Sequence, residues 1–163
     1  AQRMCYSGRW RRAFTMMKSA TIINSIPHKK PFLFVDEIID YSDQHIIGEY
    51  TFPKSADFFN GHFPEKSVVP GVLVTECAAQ ISLACFGFIL RGNSTTSSSG
   101  SASQLYLTHS QMDFEQPVEP NERLRVEAEL DYFRFQKLSV RVKIYVDNKK
   151  IAKGKLQGMI FET

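Results

Sequence analysis

Cysteine and histidine are scarce in this chain, and the few present do not form the patterns that disulfides or metal ions require. The 163 residues include three cysteines and four histidines. Cys77 and Cys85 are eight positions apart in a predicted helix, about 12 Å along its axis, which is too far for a disulfide. We therefore predict no disulfide, no metal site and a reducing, cytoplasmic location.

Acidic residues are missing from residues 1–16, which carry four arginines, Arg3, Arg9, Arg11 and Arg12. Without these four charges the net charge of +3 becomes −1. The rest of the chain, with a net charge so close to zero, lacks the basic surface of a nucleic-acid-binding protein, so we exclude nucleic acid as a partner. The segment also lacks the apolar run of a secretory signal. We expect residues 1–16 to be a disordered or non-native N-terminal tail, and residues 17–163 to form a single domain.

Charge is nearly absent from residues 67–90, where Glu76 is the only charged side chain. Pro70 suits the start of a helix, and Gly92 suits its end. A helix that is apolar nearly all round is buried in a protein core or spans a membrane. The uncharged polar residues along it, and the strands predicted on both sides of it in the chain, favour a core helix, so we exclude a membrane partner.

The rest of the chain alternates apolar and polar residues with period two, which predicts β-strands. The predicted strands cover residues 33–40, 45–53, 105–114, 123–133, 137–146 and 151–161. The Ser-rich stretch 93–103 has little to bury and is predicted to be a loop. Strands on either side of one long buried helix indicate an α+β domain in which an antiparallel sheet wraps around the helix.

His62 is the first candidate for chemistry, because it stands in the apolar motif FFNGHFP. Gly61 permits backbone angles that a side chain would forbid, and Phe63, which precedes Pro64, is expected to be extended. A neutral imidazole in such a loop is suited to accept a proton. The alternative is a packed structural histidine.

Glu76 is the second candidate, because an unpaired carboxylate in a buried helix is costly unless it holds a proton or finds a partner. A carboxylic acid in that environment is suited to donate a proton. The alternative is a structural acid that caps loop N–H groups or pairs with a lysine such as Lys66. Gly71 supplies the first free amide at the helix start, with the positive end of the helix dipole behind it, and such an amide can polarise a carbonyl.

Three stretches, PHKKPFLFVDEI, FFNGHFP and VVPGVLVTECAAQ, together resemble the (3R)-hydroxyacyl-[acyl carrier protein] dehydratases of the hotdog-fold superfamily. The resemblance implies a hydro-lyase without a cofactor that forms a trans-2-enoyl thioester in fatty-acid or related polyene and lipid biosynthesis. It implies His62 as the base, Glu76 as the acid and Gly71 as the carbonyl-binding amide, with Val72, Phe63 and Phe59 also at the substrate. It further implies acyl carrier protein as a partner and a homodimer, or a trimer of such dimers, with each site shared between two chains.

Two other functions are compatible with the same residues. A thioesterase on this fold would also need a polarised thioester carbonyl and a carboxylate, here activating water. A non-catalytic acyl-binding subunit would need neither. The histidine of the Gly-His-Phe-Pro motif favours dehydration, and the product formed from a 3-hydroxyacyl thioester separates the three.

Overall fold

A computed structural model describes residues 16–92 and 103–162 of the chain. Residues 1–15, which make up nearly all of the predicted tail, lie outside the described residues. Residues 93–102, which include almost all of the Ser-rich loop, also lie outside them.

Six strands form one antiparallel sheet in the order β1-β2-β4-β5-β6-β3. Their bounds are Glu37–Tyr41 for β1, His45–Thr51 for β2, Ser103–Phe114 for β3, Arg123–Arg134 for β4, Lys137–Val146 for β5 and Lys149–Glu162 for β6. β3 follows the helix in sequence but pairs only with β6 among the described strands, so it lies at one edge of the sheet. The predicted α+β architecture, with an antiparallel sheet around a long helix, is confirmed.

The central helix, Gly71–Leu90, fills the concave side of the sheet. Its buried side chains, such as Ile81 and Phe86, share one core with the inward residues Leu124, Val126 and Val142 of β4 and β5. The inward residues of β4 are buried and their neighbours are more exposed, as the period-two pattern predicts. Membrane spanning is possible for this helix by length and composition alone, but most of it is buried inside the domain, as in the core helix of a globular protein.

The central helix is not α-helical throughout. Gly71–Ala79 and Phe86–Leu90 are α-helical, and Gln80–Cys85 between them is π-helical. A π segment has a wider turn, so it shifts the phase of every side chain that follows. The 3.6-residue period therefore does not carry from Glu76 to the end of the helix.

Only β5 has the predicted bounds; the other five strands begin or end one to four residues away from them, and the largest difference is at the start of β1. Residues 33–36 are not strand, because the Phe34 amide donates to the Gln80 side chain of the helix (2.7 Å) instead of to a neighbouring strand. β2 ends at Thr51 rather than at residue 53. Two short helical elements were not predicted: the α-helix Ser19–Ser25 and the 3₁₀ turn Asp57–Asn60.

Cys77 and Cys85 are free thiols on the buried side of the central helix. Burial raises the pKa of the Cys77 thiol, and it raises that of Cys85 to about 12. Both thiols are therefore protonated at neutral pH and poor nucleophiles.

Candidate active site

His62 lies two residues after the 3₁₀ turn Asp57–Asn60, and its ring is oriented by one hydrogen bond. Its Nδ1 lies 3.0 Å from the backbone oxygen of Val68. A carbonyl oxygen can only accept, so Nδ1 carries the hydrogen, and in the neutral imidazole Nε2 then keeps its lone pair. The Val69 amide donates to the Val118 oxygen (2.8 Å), which fixes the segment that holds the ring. In its neutral form the half-buried imidazole therefore has Nε2 as its free acceptor, which is the arrangement that a general base requires.

The conformation of the loop around His62 differs from the one predicted. Gly61 has φ −113° and ψ −17°, which any residue can adopt. Phe63 has φ 57°, so it lies in the left-handed region instead of being extended. This conformation allows the Lys66 amide to donate to the Phe63 oxygen (2.9 Å). The Phe63 ring contacts the His62 ring, with centroids 4.2 Å apart and the planes tilted by 40°.

Gly71 begins the central helix directly after Pro70, which caps it. The Leu73 and Val74 amides donate to the Pro70 oxygen, whereas the helix itself has no acceptor for the Gly71 amide. Gly71 and His62 line the same cavity of about 460 Å³. A Cβ at position 71 would lie 3.3 Å from the ring of Phe114 on β3, so glycine keeps space between the helix start and this strand.

Glu76 lines a different cavity, of about 180 Å³, together with His28, Gln80 and residues 105–107 of β3. Its Oε1 accepts a hydrogen bond from Gln80 Nε2 (2.9 Å) and lies 3.6 Å from His28 Nε2. The Glu76 side chain is 25% exposed in the single chain, and its partners are these two side chains instead of Lys66.

Gln80 connects the central helix to the loop before β1. Its Nε2 also donates to the Phe32 oxygen (3.0 Å), while its Oε1 accepts from the Phe34 amide. Gln80 is 1% exposed, so this buried amide is satisfied by partners more than 40 positions away in sequence. Gln80 was not among the predicted site residues; the signal in the sequence is its position four residues after Glu76 on a helix.

The structure brings together only some of the predicted site residues within one chain. His62, Phe63 and Gly71 share a cavity, whereas Glu76 lies in the other. Val72 is 76% exposed, and Phe59 is 5% exposed in the core; neither lines either cavity. In the described part of the chain, no three His, Cys, Asp or Glu side chains are placed to hold a metal ion.

Two other histidines have partners that the sequence did not indicate. His28 is partly buried beside Glu76, although the two residues that follow it are lysines. His45 Nε2 lies 3.0 Å from Asp40 Oδ2, and its Nδ1 lies 2.8 Å from Ser42 Oγ. The hydrogen bond to His45 lowers the pKa of the Asp40 carboxyl.

The sheet wrapped around a single helix places this protein among the hotdog-fold proteins. Its fold is similar to that of the dehydratase heterocomplex ApeI:P from Xenorhabdus doucetiae, with a TM-score of 0.64, 17% identity and coverage of 85% of this chain and 89% of that one. It is also similar to a hypothetical thioesterase from Streptococcus pneumoniae, with a TM-score of 0.56, 12% identity and coverage of 78% and 86%. Because one neighbour is named a dehydratase and the other a hypothetical thioesterase, the fold alone does not select an activity.

Sequence comparison narrows the class to one family. Residues 26–155 match the model of the FabA-like domain, so the chain belongs to the FabA-like family. It is 32% identical to the 3-hydroxyacyl-[acyl-carrier-protein] dehydratase FabZ of Caulobacter sp. strain K31, covering 88% of this chain and 86% of that protein. It is 31% identical to the FabZ dehydratase of Chlamydia muridarum, covering 85% and 89%. The family predicted from the three motifs is confirmed.

Proposed function

We propose that this protein dehydrates a (3R)-hydroxyacyl thioester carried on acyl carrier protein to the trans-2-enoyl thioester, in fatty-acid or related lipid biosynthesis. The observation that carries the proposal is the His62 Nδ1 contact with the Val68 oxygen, which leaves Nε2 as a base in the cavity that Gly71 also lines. The family relatives at about 30% identity are dehydratases by name, and this favours dehydration over thioester hydrolysis.

The reaction needs one base, one acid and one hydrogen-bond donor to the thioester carbonyl. The Gly71 amide donates to the thioester oxygen, which stabilises the negative charge that develops there. His62 Nε2 removes the C2 proton, the C3–O bond breaks, and Glu76 transfers a proton to the departing hydroxyl. The products are water and a C2–C3 double bond, and the two proton transfers balance.

We propose that His62 and Glu76 act across a homodimer formed through β3. β3 is an edge strand of 12 residues, and Tyr106, Leu107 and Phe114 along it are between 45% and 48% exposed. A long edge strand with exposed apolar residues is a site for pairing with another chain. The described part of the chain offers no strand to cover this edge.

The two cavities contact opposite ends of β3, and this explains how a dimer would join them. The His62 cavity contains Phe114, and the Glu76 cavity contains residues 105–107. If β3 pairs antiparallel with its copy about a two-fold axis, the Phe114 end of one strand lies beside the 105–107 end of the other. His62 would then face Glu76 of the partner subunit. A cytoplasmic location and a trimer of such dimers remain predictions.

The test is incubation with a 3-hydroxyacyl-[acyl carrier protein], with enoyl thioester, free thiol and unreacted substrate measured separately. We expect wild type to form enoyl thioester. His62→Ala should reduce turnover by about 10²–10⁴-fold, because the base is removed. Glu76→Gln should lose turnover similarly while its amide oxygen keeps the bond from Gln80.

His45→Ala is the matched control, because it removes a histidine that also contacts a carboxylate but lies outside both cavities. It should retain turnover within about twofold. Release of free thiol by wild type would instead establish a thioesterase, and normal turnover by His62→Ala would refute the assignment of the base.

A further inference from the structure

His28 and Gln80 both approach the same oxygen of the Glu76 carboxyl group. Gln80 Nε2 donates to Oε1 at 2.9 Å, and His28 Nε2 lies 3.6 Å from the same atom. The His28 distance is slightly longer than a hydrogen bond, and such contacts often tighten when substrate binds. With both donors directed at Oε1, Oε2 is the oxygen left to carry a proton.

We propose that His28 is a positioning residue for the reaction, which orients the Glu76 carboxyl group so that Oε2 holds the transferred proton and Oε1 receives N–H donors. This inference rests on the proposed function of Glu76. After Glu76 gives up its proton, the carboxylate charge is stabilised by Gln80 and by His28 donating from Nε2 to Oε1.

The position of the second ring nitrogen argues against a proton relay. A relay through imidazole needs one nitrogen at Glu76 and the other at solvent or at a further proton carrier. His28 Nδ1 is buried and has no hydrogen-bond partner within the described residues of the chain. Nε2 is therefore the ring nitrogen that can interact with Glu76, and it faces the carboxyl group.

The surroundings of His28 favour a neutral imidazole that can donate a hydrogen bond. Burial lowers the pKa of His28, the nearby Glu76 carboxylate partly offsets this, and Lys29 lowers it further. Tyr106 from β3 and Arg91 from the end of the central helix line the cavities that His28 lines. A neutral imidazole with Nε2–H can donate to a carboxylate without forming a buried ion pair.

A buried polar atom without a partner costs free energy, so a purely structural role would favour an apolar residue at position 28. This gives a sharp pair of variants. His28→Phe keeps a ring of similar size but has no donor, while His28→Gln places an amide N–H near the position of Nε2. Both are compared with the surface control His45→Ala.

We expect His28→Phe to fold with a Tm no lower than wild type and to lower kcat about tenfold, with KM changed by less than about twofold. His28→Gln should recover most of the lost kcat, and His45→Ala should match wild type. A loss of Tm with unchanged kcat, or a change in KM alone, would show a structural or binding role and overturn the inference.

A second measurement does not depend on turnover. The tautomer of the His28 imidazole is determined by NMR from its ring nitrogen chemical shifts at neutral pH. We expect the hydrogen on Nε2, because that nitrogen faces Glu76 Oε1, and a hydrogen on Nδ1 would refute the contact. Wild type without dehydratase activity would refute the proposed function itself. An active wild type, an inactive Glu76→Gln and a fully active His28→Phe would refute only the role of His28.

Discussion

Backbone strain in the His62 loop lies at Phe63 rather than at the neighbouring glycine. A non-glycine residue with positive φ costs about 1–3 kcal/mol and persists when the surroundings determine it. Here the surroundings include the neighbouring His62 ring and the Lys66 amide, which donates to the Phe63 oxygen. The loop is therefore held in shape by contacts, and Gly61 is not required for its conformation.

Replacing Gly61 with alanine tests this directly. Its φ is ordinary, and a Cβ there would meet nothing within 4 Å. Gly61→Ala should raise the free energy of unfolding by about 0.5 kcal/mol, because the unfolded chain loses freedom. Gly154→Ala is the contrasting variant, because its Cβ would overlap the Gln111 carbonyl oxygen, and it should destabilise by about 1–3 kcal/mol.

Urea unfolding of both variants measures the difference. A Gly61→Ala protein that is less stable than wild type would mean that the loop does need the freedom of glycine. Turnover of Gly61→Ala should stay close to wild type, since the Val68 contact that orients His62 does not involve position 61.

At the scale of elements, two hairpin turns of the same geometry contain very different residues. Phe135 and Gln136 connect β4 to β5 with φ of 50° and 61°, and Asp147 and Asn148 connect β5 to β6 with φ of 48° and 64°. Two positive φ values in a two-residue loop define a type I′ turn, which favours Asn-Gly or Asp-Gly. The positive φ values of the first turn are therefore unfavourable for Phe135 and Gln136, whereas those of the second turn are well tolerated by Asp147 and Asn148.

Changing Phe135-Gln136 to Asn-Gly should raise the free energy of unfolding by about 1–2 kcal/mol. Little burial is lost, because Phe135 is 89% exposed. Asn148→Gly in the second turn is the control and should change stability by less than about 0.5 kcal/mol. Thermal or urea unfolding of the two variants checks the prediction. A destabilised Asn-Gly variant would show that Phe135 makes a contact that offsets the strain.

The π segment Gln80–Cys85 belongs to the same scale. It begins at the residue whose side chain bonds the loop before β1 and the Glu76 carboxyl group. Segments of this kind are frequent at functional sites, because they change the direction of side chains within a helix. In this chain the π segment follows directly on the turn that carries Glu76.

For the whole molecule, His62 and Glu76 lie in two different cavities of one chain, so the activity is expected to depend on the formation of a dimer. If each site takes His62 from one chain and Glu76 from the other, a mixed dimer of His62→Ala and Glu76→Ala chains has one site with both defects and one with neither. Random mixing of equal amounts makes about half of the dimers mixed. Activity should therefore recover to about a quarter of wild type from two inactive parents.

The two chains are co-expressed or refolded together, because an extensive apolar interface exchanges slowly. Native mass spectrometry confirms that mixed dimers are present, and enoyl thioester formation is then measured. Mixed dimers without activity would show that each site is built within one chain, which would contradict the shared site but not the roles of the two residues.

The sequence by itself determined the class of fold, most of the strands and the family. Period-two alternation and a nearly uncharged helix are local patterns, and each follows from which side chains must leave water. The motifs around His62 and Glu76 identified the candidate residues for the same reason, since an unusual side chain in an apolar stretch is visible without any coordinates.

Tertiary structure alone decided how the candidate residues are oriented. The hydrogen bond from the Phe34 amide to the Gln80 side chain keeps residues 33–36 out of β1. His28 lies beside Glu76 although the two residues are 48 positions apart in the sequence. The positive φ of Phe63 runs against the preference of a residue before proline. The division of His62 and Glu76 between two cavities also depends on where β3 packs. These features arise from contacts between segments distant in sequence, and no pattern within a single segment encodes such a contact.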